Sequence, residues 1–212
     1  VHIGSGETLM YGNDFVYGND SEGYDVVSII DPAKVMRLIG EENVHAWVAA
    51  IENKKSTKDV VKRFSPNSKI EDYSKRILTS CASIKATDTL KEFIHDGFGK
   101  PYIPGRARKW AIRTAILASL AKDSEQPITD DRDRVNAQPT ESYYFGKNPN
   151  DDVFRFLQVG DAYFGDNYEG VIKMVNLNER LRREFWETSK PQLVEVLLEG
   201  DCAKFNLSKN DI

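Results

Sequence analysis

Long apolar runs are missing from this sequence. None of its apolar stretches approaches the roughly 20 residues that a membrane span requires, and the first thirty residues have neither a basic start nor a continuous apolar core. Membrane insertion and secretion are therefore not expected. Cysteine is equally scarce. Cys81 and Cys202 are too few for a disulfide framework and fit reduced thiols in a cytoplasmic setting. Catalytic signatures are also missing: there is no HExxH, no GxSxG and no paired CxxC, which removes the easily read zinc and acyl-transfer chemistries. GFGK at 97–100 ends like a phosphate loop, but Ile94 stands where the first glycine is needed and Pro101 where Ser or Thr is needed. Asp14, Asp20, Glu22 and Asp25 lie close together without the spacing of a calcium loop. No cofactor, metal or catalytic residue is expected.

Two further absences are local and opposite in sign. Residues 1–33 contain no Lys or Arg, and residues 97–122 contain no Asp or Glu. The chain has 212 residues, 40% of them hydrophobic, and a net charge of -4. That is enough material for a substantial core. The acidic balance argues against a surface that coats nucleic acid everywhere, though it permits a local basic groove.

Helical spacing dominates after residue 30. Asp31 before Pro32 is an N-cap signal, with Val35, Leu38 and Ile39 on one stripe and Gly40 as a stop. Further helices are predicted over 41–53, from Ser56 to Phe64, over 68–84 with Ile70, Tyr73, Ile77, Leu78 and Cys81 on one stripe, and from Thr87 to Gly97 or Gly99. The strongest helix signal runs from Gly105 to Lys122. Residues 151–160 and the capping-box patterns at Asn176 and Ser189 predict three more. The fold class expected is mainly α: an acidic arm with a possible short strand (1–30), a helical lobe (31–122), a polar loop or linker (123–150) and a second helical lobe (151–212).

The tetrapeptide YGND occurs twice, at 11–14 and 17–20. Gly before Asn suits a tight turn, yet only Phe15 and Val16 separate the copies, which is short for two strands. One copy is read as a turn and the other as an extended arm. Tyr11, Phe15, Tyr17 and Tyr24 would anchor that arm on a neighbouring copy of the chain, giving a homo-oligomer.

In the basic stretch, Arg106, Lys109 and Arg113 share a helix face, and Arg106, Arg108 and Lys109 crowd the first turn. Cations there oppose the helix dipole and favour an anion. Lys100 adds charge, and Tyr102 and Trp110 add planar surfaces on which bases could stack. Two readings stand side by side. These groups bind RNA or single-stranded DNA phosphate, or the arginines pair with carboxylates such as Asp130, Asp131 and Asp133. Arg180, Arg182 and Arg183 carry i,i+4 acidic partners and read as a solvated face. The leading functional reading is a non-enzymatic, self-assembling helical protein that binds nucleic-acid backbone, organised like a nucleocapsid or coat protein. The alternatives are a protein-binding adaptor and a small phosphate-ester or nucleotide enzyme.

Overall fold

The computed structural model describes residues 1–122, 137–165, 169–175 and 191–210. In chain order its strands are β1 (Gly4–Met10), β2 (Phe15–Asn19), β3 (Asp25–Ile30), β4 (Ser74–Ser80), β5 (Thr89–Phe93), β6 (Tyr102–Ile103), β7 (Leu157–Val159), β8 (Ala162–Tyr163), β9 (Glu169–Met174), β10 (Gln192–Leu197) and β11 (Leu207–Lys209). Its α-helices are α1 (Pro32–Ile39), α2 (Val44–Glu52), α3 (Thr57–Phe64), α4 (Gly105–Ala121) and α5 (Gln138–Phe145). The chain divides into two units, Val1–Pro101 with Gly165–Asp201, and Tyr102–Phe164 with Cys202–Ile212.

The first unit is built on a seven-stranded mixed sheet in the order β1-β5-β10-β9-β4-β3-β2. Its two outermost strands are consecutive in sequence, which dictates its shape. Laid flat, seven strands would hold β1 and β2 about 29 Å apart, whereas the chain from Met10 to Phe15 reaches at most about 18 Å. The sheet must curl. One face packs Val16, Val26 and Ile30 against Val35, Ile39, Trp47, Val60 and Val61 of α1 to α3. The other, which carries no helix among the described residues, gathers Phe15, Val27, Ile29, Leu78, Leu90, Val171 and Leu193 inside the curl. In the second unit, β6 pairs with β8 and β7 with β11. Phe145 and Phe154 meet edge to face at 5.0 Å beside α4.

The mainly α expectation is corrected to a mixed α/β fold. Residues 1–30 are three strands of the sheet and not an arm. The stripe at 68–84 is a 3-10 turn (Ile70–Tyr73) followed by β4, the helix expected from Thr87 is β5, and the one expected after Ser189 is β10. Residues 151–160 form a 3-10 turn and β7. Cys81, expected in a core, is exposed. The helix starts at Asp31 and Ser56 stand as read: Asp31 accepts from the amides of Ala33 and Lys34, and Ser56 from that of Lys58. The patterns at Asn176 and at 180–183, the acids at 130–133 and Ser189 lie outside the described residues.

The doubled tetrapeptide resolves into two different structures. The first copy is the β1–β2 turn: Gly12 has φ +83, its amide donates to the Phe15 carbonyl, and the Asp14 carboxylate accepts from the Met10 amide. The second copy runs along β2, and its Asp20 begins the next turn by accepting from the amides of Glu22 and Tyr24. Gly18 is extended. A Cβ there would press on Lys58 and Ile70.

Candidate nucleic-acid interface

Helix α4 begins where Pro104 gives way to Gly105, and its start is set by close packing. A Cβ on Gly105 would collide with the Val159 carbonyl and approach that of Gly160. Only glycine lets the helix backbone come this near to β7. The Gly105 amide donates to the Asp161 carboxylate at 2.7 Å. The protein therefore supplies one anion to the positive helix end itself.

The cations of α4 separate into two kinds. Arg113 donates to both Asp152 oxygens, at 3.0 and 2.8 Å, and lies over the rings of Phe145 (4.5 Å) and Phe154 (5.4 Å). It is a structural arginine, and its carboxylate is Asp152. Arg108 donates to the Gly160 carbonyl and sits 3.9 Å over Phe205. Its desolvation lowers its pKa, with the Asp161 charge acting the other way. Its Nε and Nη1 are buried and find no hydrogen-bond partner. Arg106 is exposed and Lys109 half-buried, and neither has an ion-pair partner among the described residues. Trp110 is 57% exposed. Lys109, Trp110 and Arg113 line one hollow of about 350 Å³ with Arg155. Tyr102 is partly committed, stacked on Tyr163 at 5.5 Å with 22° between the rings. Gly105 is the only buried residue of the helix.

The remaining residues singled out in the sequence belong to the first unit. Lys100 is exposed at the end of a turn beginning at Asp96. Phe15 is fully buried, Tyr11 packs edge-on against it at 5.5 Å, Tyr17 is half-buried and Tyr24 is exposed. A hydrogen bond to the Asp25 carboxylate is the main reason the Tyr17 phenol titrates above its ordinary range. These four side chains do not form one surface.

Inside the curl, the structure gathers charges that the sequence reading did not connect. Arg76 donates to both oxygens of Glu195 (2.9 and 3.2 Å) and to Glu92 (3.4 Å), and His95 meets Glu169 at 2.6 Å. Glu195 is completely buried and also accepts from the Phe93 amide. Burial pushes its carboxyl up, against the pull of Arg76. Donor atoms of Glu92, His95 and Glu195 all lie within 4.8 Å of one another, a spacing that could hold a metal ion. Arg76 already serves as the cation of that cluster, so a divalent ion would have to displace it. His95, expected near a helix end, follows β5. The sequence carries no local sign of this network, because its members come from four different strands and one strand end.

A model of the RAMP superfamily matches residues 1–210, and the chain belongs to that superfamily. Among curated proteins it is 32% identical over 88 residues to the CRISPR system Cms protein Csm5 of Streptococcus thermophilus, a match covering 40% of this chain and 25% of that protein. Among solved structures it resembles T. onnurineus Csm5, with a TM-score of 0.74, 20% identity, and coverage of 99% of this chain and 65% of the other. It also resembles a chain of a Csm–crRNA–target RNA ternary complex of a type III-A CRISPR–Cas system, with a TM-score of 0.70, 17% identity, and coverage of 99% and 61%. The chain thus spans a quarter of the curated relative and just under two thirds of the solved chains. These matches overturn the coat-like, self-assembling helical reading. Its premise of an exchanged arm fails on the pairing of β1 and β2 within the sheet. No helix among the described residues is long and apolar enough to cross a membrane.

Proposed function

We propose that the chain is a Csm5-like subunit of a type III-A effector complex and that it holds crRNA by its backbone. The observation that carries this reading is the family match over residues 1–210. The partial identity to Csm5 and the fold shared with a chain of an RNA-bound Csm complex support the finer assignment. The proposed contact is the first turn of α4, where Arg106 and Lys109, cations without an ion-pair partner among the described residues, stand beside the exposed ring of Trp110. Arg108 and Arg113 hold that turn in place through Gly160, Phe205 and Asp152. Backbone contacts of this kind give affinity that is tolerant of sequence and falls with salt. The role proposed is binding and assembly, with no catalytic group assigned.

Fluorescence anisotropy of a labelled, unstructured single-stranded RNA, titrated at several salt concentrations, tests the proposal. Arg106→Ala/Lys109→Ala is expected to weaken binding alike for unrelated sequences. It should also reduce the slope of log K against log salt by about 1.4, the share of two lost phosphates on a single strand. Wild-type protein that shows no salt-dependent binding, or a double variant indistinguishable from it, would count against the proposal.

A further inference from the structure

The loop after β5 reads HDGFGKP, and it displays the most exposed large hydrophobic side chain among the described residues. Phe98 is 95% exposed. A lone surface phenyl needs no explanation in itself; this one is distinguished by how it is held and by what surrounds it. The Asp96 carboxylate accepts from the amides of Phe98 (2.9 Å) and Lys100 (2.8 Å), the Asp96 carbonyl accepts from the Gly99 amide, and the Asp96 amide donates to the Lys100 carbonyl. Gly99 takes φ +82 to close the turn, and His95 bridges to Pro101 across its base. Four hydrogen bonds inside five residues fix the backbone that carries the ring. Ordering it against a ligand therefore costs little entropy.

Phe98 stands at the rim of a hollow of about 550 Å³ in the first unit, within the size range of ligand sites. Lys34, Lys75 and Lys100 line the same hollow, and none of their ammonium groups has a carboxylate in ion-pairing distance among the described residues. Arg76, also in the lining, is paired with Glu195, and the Glu169 carboxylate lies in hydrogen-bonding contact with His95. Glu71, the other lining carboxylate, has no ion-pair partner among the described residues and accepts from the Ser21 amide. A local surplus of positive charge in a chain of net charge -4, arranged around a rigid exposed ring, is the composition of a single-strand platform: cations for the backbone and a π-face for a base. A protein-docking knob would instead be expected within an apolar rim. Here the exposed residues that share the hollow with Phe98 are Lys75, Lys100 and a single apolar side chain, Ile77.

We infer that Phe98 is a base-stacking residue for single-stranded RNA, with Lys75 and Lys100 receiving the phosphates on either side of the stacked nucleotide. The inference rests on the RNA-binding reading above and adds to it a second contact, of different chemistry, in the first unit.

The test uses the full chain and an unstructured single-stranded RNA with one 2-aminopurine, read by both anisotropy and the quenching of that base. Phe98→Ala is expected to weaken binding roughly 5- to 150-fold, the range found for losing one stacking platform, and to abolish the quenching. Phe98→Trp should retain both, while Phe98→Leu, apolar but without a π-face, should behave like the alanine variant. Because the ring is exposed, these variants should melt with the wild type. If wild type and Phe98→Ala bind alike while Arg106→Ala/Lys109→Ala is impaired, the stacking role is overturned and the RNA-binding function stands. Retention by Phe98→Leu likewise overturns stacking and leaves an apolar, protein-facing role. If the wild type binds no RNA at low salt, the functional reading falls and this inference with it.

Discussion

Arg76 must neutralise two glutamates, one of them fully buried, and that makes it the most consequential single charge in the first unit. Glu195 lies opposite Val171, and Arg76 opposite Ile29, so both charged side chains face the apolar interior of the curl. Removing one partner of such a pair strands the other in a poorly solvated place, at a cost of about 3–5 kcal/mol. Arg76→Ala is expected to lose about that much stability in urea unfolding. The deficit has a definite pH dependence. Burial already raises the Glu195 carboxyl, so the folded state holds its proton more tightly than the unfolded chain does. The cost of ionising Glu195 is absent below the unfolded carboxylate range and fully present above the raised folded value. Without Arg76, the loss should be largest at neutral pH and should shrink on acidification as Glu195 takes up a proton. A deficit that is small, or that does not change with pH, would show that water or a neighbouring group compensates the charge.

At the scale of elements, α4 depends on one backbone contact. Gly105 has no room for a Cβ beside the Val159 carbonyl, and backbone cannot yield as a flexible side chain can. Gly105→Ala is expected to destabilise the protein by about 1–3 kcal/mol, as overpacking does, and to weaken RNA binding by shifting Arg106 and Lys109. Thermal melting and the anisotropy titration check both effects; unaltered melting would mean that the helix start tolerates displacement. The same scale explains what was readable in the sequence. Helices α1, α3 and α4 carry their signals locally, in a cap such as Asp31 or Ser56, or in a long uninterrupted run. β10 does not. Leu193 to Leu197 is buried on both faces, so the alternation that marks a strand is erased, and Leu193, Val196 and Leu197 imitate a helical stripe. In β5, Leu90 and Phe93 are three apart and both fully buried, which also reads as helical, yet they face opposite sides of the sheet. The basic turn of α4 was visible from composition alone. Phe98 was visible only as a phenylalanine between glycines, and its exposure depends on the turn that Asp96 closes. The split of the α4 arginines into structural and free ones could not be read, since Asp152, Gly160 and Phe205 approach them only in the fold.

Across the whole molecule, charge is distributed unevenly along the chain. Residues 97–122 hold six cations and no acid, so with a net charge of -4 the rest of the chain carries -10. A polyanion is attracted to this stretch more than to the rest of the chain, which favours local contacts over general coating. The stretch contains Phe98, Lys100, Arg106, Lys109 and Trp110, which with Lys75 are the groups assigned to RNA from separate observations in the two units. Photo-crosslinking of the full chain to a single-stranded RNA, with the attachment sites located by mass spectrometry, addresses this claim most directly. The account predicts crosslinks concentrated within residues 97–113, on Phe98 and Trp110 above all, and lost at high salt. Crosslinks confined to other parts of the chain, under conditions where binding is demonstrated, would contradict it.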